Sequence, residues 1–428
     1  MSQGWRHSFW FREFKPLVWA VVVLIAVQLF EFHGWMASVE GKVLDIFQAY
    51  SPGSPAAVPP KVVVLEIDEN AYKQWFGSSP LNPAHVLGLV DATLDLDPPP
   101  AVIGVDILTD PADPVNQKLY RDWSHGYSDR HPTKTTRVVW AMGEPAKADK
   151  LGFFAWSFDK IPKLAANKTD VLGDNTLDHL PRSFLWATPI FPRDEDLALR
   201  RYPRRINNVG LRPSAPSWAS AVGEAYCESR GHCPPWAHGE PEEVILSFKG
   251  APLEFNVFDV FQLAAGKLVL RDDPDKQDAG DKEGKGGNPR SLFAEFARNG
   301  VVLIGGAFNQ SILNDYHDTP QGLMPGVKLN AYAVQAEIAR SGARETWHPL
   351  LVLGDLIFGF LIVYFFADVD ELRRPILYTL LLTAGVMILS WQLYRNQYVW
   401  LSWIGMFIGM WPHIVIEVLH KKVKVEKD

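Results

Sequence analysis

Apolar residues follow two regimes along this chain. Near both ends they form long unbroken runs; between the ends they come in short blocks separated by polar stretches rich in Gly and Pro. The first run, LVWAVVVLIAVQLF, starts at Leu17, and Phe32, Trp35 and Met36 extend it, which predicts a membrane helix over 17–36. A secretory signal peptide competes for this segment, since Arg6, Arg12 and Lys15 precede it. HGWMAS supplies a poor small-x-small cleavage site, so the expectation is an uncleaved anchor. Three more runs, 349–367, 376–394 and 398–419, are each long enough to cross a bilayer at 1.5 Å per residue.

The short central blocks have strand length. KVVVLEI (61–67), AVIGVDIL (101–108), RVVWAM (137–142), VILSF (244–248) and VVLIG (301–305) are near-continuous Val/Ile runs, the pattern of strands buried on both faces of a parallel sheet. Helical patterns lie between them. Asn82-Pro83 offers a cap and a first-turn proline for PAHVLGLVDATLDL. SLFAEFAR runs to Asn299-Gly300, a stop signal, and KLNAYAVQAEIAR places Leu329, Tyr332, Ala336 and Ala339 on one face. The expected fold is an α/β domain, a mostly parallel sheet covered by helices, plus four transmembrane helices. The stretch 271–290, RDDPDKQDAGDKEGKGGNPR, has no apolar periodicity and reads as a solvated insertion.

Charge gives the orientation. The segments 1–16, 368–375 and 420–428 carry Arg6, Arg12, Lys15, Arg373, Arg374, Lys421, Lys422, Lys424 and Lys427, against Arg395 in the loop 395–397. Both termini are therefore expected in the cytoplasm, with residues 37–348 forming a periplasmic domain of a bacterial inner-membrane protein. The outer segment 34–348 carries 32 basic and 40 acidic residues, which excludes a nucleic-acid surface. Arg200, Arg201, Arg204, Arg205 and Arg212 are an exception, read as a solvated loop face or an anion or partner patch.

The candidate chemistry is acidic. Asp68 and Asp106 lie at or near the carboxyl ends of expected strands, where open α/β sheets bind ligands. Asp315 and Asp318 follow the Gly305-Gly306 pair, so four carboxylates are candidates for one ligand site, with divalent-cation binding or simple capping as readings. Ser311, His317 and Asp318 supply hydrolase residue types without a nucleophile-elbow context, so no catalytic residue, cofactor or bound metal is expected. Cys227 and Cys233, the only cysteines, lie in the expected oxidising compartment and are read as a disulfide; free thiols, or zinc with His232 or His238, are the alternatives. In the runs, Asp355 is a rare intramembrane carboxylate, His413 and Glu417 are spaced i,i+4, and Gly405 and Gly409 form a small-xxx-small pair for helix packing.

The order of these pieces resembles the second class of CHASE domains, sensory domains associated with cyclases and histidine kinases. GKVLDIF with Asp45, VVVLEIDENAY with Asp68, AVIGVDIL with Asp106 and LEFNVFDVFQLAAGKL carry the likeness. The most specific stretch is GVVLIGGAFNQSILNDYHDTPQGLMPGVKLNAYAVQ, with Asp315, Thr319-Pro320 and Pro325-Gly326-Val327. Members commonly have one span before the domain and three after it. The resemblance departs at WFGSSPLNPAHVL and is loose in the central third. It implies a sensor of an unknown periplasmic ligand or protein. Only HKKVKVEKD follows the last run, so the expectation is a non-enzymatic sensor or accessory subunit, in contact with membrane lipid, that signals to a separate membrane or cytoplasmic effector protein. A scaffold of an envelope complex is the alternative, and a membrane-anchored periplasmic hydrolase a third.

Overall fold

The computed structural model describes residues 35–50, 62–77, 81–107, 136–141 and 184–187, most of 193–264, then 267–270, 289–308, 315–346 and 373–401, with isolated positions in 118–127, 189–191 and 350–361. The chain divides into two units. One comprises Gly53–Pro192 and Leu199–Gly342; the other comprises Met1–Pro52, Arg193–Ala198 and Ala343–Asp428.

The first unit is built on a six-stranded parallel sheet. In chain order its strands are β1 (Val62–Asp68), β2 (Val102–Asp106), β3 (Arg137–Ala141), β4 (Phe184–Ala187), β5 (Leu253–Asn256) and β6 (Val301–Ala307), arranged β4-β3-β2-β6-β1-β5. The Val/Ile runs explain the centre of this order. β1, β2 and β6 are buried on both faces because alternate residues enter two separate cores. Val63, Leu65 and Ile67 face one core; Val62 and Val64 face the other. The first core is closed by α2 (Pro83–Leu94), whose N-cap Asn82 accepts a hydrogen bond from the Ala84 amide at 2.9 Å. The second is closed by α3 (Trp218–Ser229) and α5 (Gly326–Ala339). Between β5 and β6, α4 (Pro289–Ala297) starts on the last residues of the polar stretch 271–290 and buries Phe293 in the first core.

The structure corrects one strand. Val244 and Ile245 lie outside the six-stranded sheet, in the short strand Glu243–Ile245, which pairs antiparallel with Arg201–Pro203. Val244, Leu246 and Phe248 are still buried in the second core, so the apolar run marked burial rather than sheet membership. The edge strands β4 and β5 carry no long Val/Ile run, because an edge strand needs less apolar cover; Leu253 of β5 is exposed.

Helix α5 is buried almost all round, and Glu337 near its end is fully buried. Glu337 Oε1 accepts from Tyr202 Oη at 2.9 Å, Arg204 Nε at 2.7 Å and Ser220 Oγ at 2.9 Å, and its Oε2 accepts from Arg340 Nη1 at 2.7 Å. The Arg204 and Arg340 guanidinium groups lie 5.1 and 5.4 Å from the centre of the Trp236 ring. Arg200 and Arg204 are 2% and 4% exposed, so these two members of the arginine cluster are neither a solvated face nor an anion patch. Arg204 neutralises a buried glutamate, which a local charge count cannot reveal. Cys227, in the last turns of α3, is disulfide-bonded to Cys233 with a Cα–Cα distance of 5.0 Å.

In the second unit, α1 (Trp35–Tyr50) and α6 (Arg373–Gln397) meet a short parallel pairing of Arg344–Glu345 with Val399–Trp400. Trp400 is buried and donates its Nε1–H to Glu40 Oε1 of α1 at 2.9 Å. Phe47 of α1 packs edge-on against Trp391 and Trp400, with ring centres 5.0 and 5.2 Å away. Residues 398–400, assigned from sequence to the start of the last membrane helix, are instead a left-handed Tyr398 followed by this strand, whose backbone is satisfied by pairing. Among the described residues, one helix, Ile376–Gln397 within α6, is long and apolar enough to cross a membrane, and Leu377, Leu381, Ile388 and Leu389 on it are exposed.

Candidate functional site

Strand register sets the site. Asp106 of β2 lies beside Gly305 of β6, Gly305 beside Glu66 of β1, and Glu66 beside Asn256 of β5. Paired residues of parallel strands point to the same face, so Asp106 and Glu66 both face α5, one on each side of a residue without a side chain. The row sits at the carboxyl ends of the strands, the ligand edge of open α/β sheets.

Helix α5 covers the row with its first turns. A Cβ on Gly305 would collide with the Val327 side chain, so glycine is required for this close approach. Lys328 Nζ lies 2.5 Å from Glu254 Oε1 of β5, and Asn330 Nδ2 donates to Asp106 Oδ2 at 2.8 Å. At the start of the helix, the Gly326 amide donates to the Asp315 carbonyl at 2.8 Å. A Cβ on Gly326 would strike the Asp315 carboxylate, so that carboxylate lies directly against the helix start. His317 Nε2 is 3.0 Å from Asp315 Oδ1.

Burial makes both row carboxyls reluctant to ionise. Desolvation, aided by the charges of Glu254 and Asp68 and opposed by Lys328, pushes Glu66 up to about 7. Desolvation, aided by the Asp315 charge and opposed by the hydrogen bond from Asn330, pushes Asp106 up to about 7. Two carboxyls of one row thus change charge near neutral pH, poised to take up a proton or to stabilise a cationic group.

Of the four aspartates read from sequence, the structure brings Asp106 and Asp315 together. Asp68 is spent as an N-cap, accepting from the Ala71 amide at 2.7 Å, although its charge still acts on Glu66. Asp318 is exposed on the hairpin formed by Tyr316–Thr319 and Gly322–Pro325, opposite Leu323. Among the described residues no group of three or more His, Cys, Asp or Glu side chains is placed to hold a metal ion, so the four-carboxylate cation site does not form there. Ser311 lies outside the described residues, as do His413, Glu417, Gly405, Gly409 and Asp355.

Sequence reasoning missed Glu66, Glu254, Lys328 and Asn330. Glu66 had a detectable signal, a charged residue inside a Val/Leu/Ile run assigned to a doubly covered strand. The other three had none, since only tertiary packing of β5 and α5 brings them to the row.

No curated protein and no solved structure matches this chain. The model of the CHASE2 domain matches residues 19–367, which include the whole parallel sheet, the acidic row and helix α5. The chain therefore belongs to the CHASE2 family of extracellular sensory domains.

Proposed function

We propose that this chain is a membrane-embedded sensor whose outer α/β domain binds a small ligand at the acidic row and signals to a separate effector without catalysing a reaction. The observation that carries this reading is the Asp106–Gly305–Glu66 row in a sensory-domain family, at the sheet edge suited to ligands and beneath the start of one buried helix. The row's acidity favours a ligand bearing a cationic or hydrogen-bond-donating group.

The membrane arrangement is supported by where the apolar runs adjoin the second unit. The run 17–36 leads into α1, which begins at Trp35. The run 349–367 begins three residues after Thr346, the run 376–394 ends within α6 beside Phe47, and the run from Tyr398 begins at the paired strand. One end of every run thus adjoins the same small cluster, as four spans with a shared outer side require. With the positive-charge asymmetry, this favours a periplasmic domain and both termini in the cytoplasm.

The test is thermal unfolding of the full chain in lipid nanodiscs against a defined panel of amino acids, polyamines, dicarboxylates, sugars, nucleotides, Mg²⁺ and Ca²⁺. A ligand at one hundred times its Kd stabilises by about 2.7 kcal/mol. At least one compound should do so in the wild type and fail with Asp106→Asn. A panel without effect, in a chain that co-purifies stably with an envelope protein, would replace the sensor with a scaffold.

A further inference from the structure

Residues 233–236 and 239–242 fasten a strap across the contact between α3 and α5. At one end Cys233 is bonded to Cys227, in the last turns of α3. At the other, Glu240 Oε2 lies 3.3 Å from Arg204 Nη1, and the Glu242 carbonyl accepts from the Arg204 amide at 2.8 Å. Between them the Trp236 ring meets the guanidinium groups of Arg204 and Arg340, at 5.1 and 5.4 Å from its centre, and packs against the second core. Pro234 and Pro235 join Cys233 to Trp236. A proline ring fixes φ at about −65°, so the position of Cys233 sets that of the indole.

The strap covers a buried ion pair. Arg204 Nε donates to Glu337 Oε1 at 2.7 Å, and the two side chains are 4% and 0% exposed. A Cβ on Gly223 would collide with the Glu337 side chain, so α3 and α5 meet at this glutamate. The attraction within the pair weakens steeply once water raises the local dielectric. Trp236 is part of what keeps water off it.

The disulfide is the main hold on the first half of the strap. Residues 228–231, Pro234 and Pro235 are exposed, and among the described residues Trp236 Nε1 is buried without a hydrogen-bond partner. The bond spans a sequence separation of only 6, and closing so short a loop stabilises less than closing a long one. Helix α3 is anchored in the second core upstream of it, by Trp218, Val222 and Ala225. Cys233 is only half-buried, which gives a thiolate access to its sulfur.

We propose that Cys227–Cys233 is a redox-responsive site, whose reduction by a dithiol frees Trp236 from Arg204 and Arg340 and loosens the contact between α3 and α5. One thiolate of the dithiol attacks Cys233 Sγ, which breaks the S–S bond and releases Cys227 as a thiolate that takes up a proton. The second thiolate attacks the mixed disulfide and releases Cys233, which is protonated in turn. The protein gains two electrons and two protons, and the dithiol leaves as its own disulfide. This switch acts at the end of α5 that carries Glu337, whatever the acidic row binds.

Hydrogen exchange of the full chain in lipid nanodiscs, with and without dithiothreitol, tests it. The amides of Arg204, Arg340 and Ser341, all bonded within this contact, are compared with those of β1 and β6. Dithiothreitol should liberate both thiols from the folded protein, and the three amides should then exchange several-fold faster while β1 and β6 keep their protection. Reoxidation should restore the original rates. The double variant Cys227→Ser, Cys233→Ser should exchange as the reduced protein does and ignore dithiothreitol. Trp236→Leu keeps the bond and serves if the serine variant does not fold; its three amides should be fast before reduction and unchanged after it. If both thiols form and the three amides keep their rates, the bond is a static staple and the proposal fails. It fails equally if the bond resists dithiothreitol in the folded protein, or if reduction also releases β1 and β6, since the bond would then belong to the framework of the domain.

Discussion

Glu66 and Asp106 flank one glycine, Gly305, in a single row across three adjacent parallel strands, and both carboxyls are pushed up to about 7. Their spacing follows from sheet register, and their shared elevation from burial beneath the first turns of α5.

The row makes stability pH-dependent in a definite direction. A carboxyl whose folded value lies above its unfolded value favours the folded state when protonated. The ordinary values are 4.5 for Glu66 and 3.8 for Asp106, so the stabilisation is complete below those values and is lost as pH rises through about 7. The groups facing them, Glu254, Asp68 and Lys328 around Glu66 and Asp315 around Asp106, set the charges they meet. Unfolding midpoints should therefore fall between pH 5 and pH 8. Glu66→Gln, which is neutral throughout, should flatten that slope; an unchanged slope in both Glu66→Gln and Asp106→Asn would remove the row as its cause.

Gly305→Ala should destabilise the outer domain by about 1–3 kcal/mol, because the added Cβ meets Val327 and overpacks the helix–sheet contact. Gly88, with open space around its Cβ position, is the control, and Gly88→Ala should be neutral or slightly stabilising. Denaturant midpoints on the two variants separate a packing requirement from a general intolerance of alanine.

Glu337→Ala should be among the most damaging single changes in the chain. It leaves Arg204 buried beside Trp236 without its main counter-charge, a loss of about 3–5 kcal/mol for a broken buried pair. Replacing Glu337 and Arg204 together by apolar residues of similar volume should recover part of that loss, measured as a double-mutant cycle in urea.

Cysteine labelling of unreduced, denatured protein should find no reactive thiol, since Cys227 and Cys233 are bonded across a sequence separation of 6. The double serine variant should lose ~2 kcal/mol in the chain-entropy model, as expected for so short a loop. Stoichiometric labelling of both cysteines would contradict the bond.

On the proposed topology, a periplasm-dependent reporter inserted within 271–290 should be active, and one placed after Asp428 inactive, following the nine basic residues of the segments 1–16, 368–375 and 420–428 against Arg395 in the loop 395–397. The opposite pattern would reverse the orientation and place the acidic row in the cytoplasm.

Local signals in the sequence decided the elements of this protein. Unbroken Val/Ile runs located β1, β2, β3 and β6, because a strand covered on both faces has no solvent side to carry polar residues. Asn82-Pro83 located the start of α2, because the cap and the first-turn proline act within a few residues of themselves. The carboxyl-end rule located Asp106. The tertiary structure alone decided which strands are neighbours, and that decision made the site. Placing β6 between β1 and β2 puts Gly305 between Glu66 and Asp106, residues forty positions apart in the chain, and lays α5 with Lys328 and Asn330 over them. The same long-range packing turned Arg204 inward to Glu337 and paired Val399–Trp400 with Arg344–Glu345. Such contacts are invisible to periodicity and capping because their free energy comes from burying partners far apart in sequence, and no local pattern encodes the identity of a distant partner.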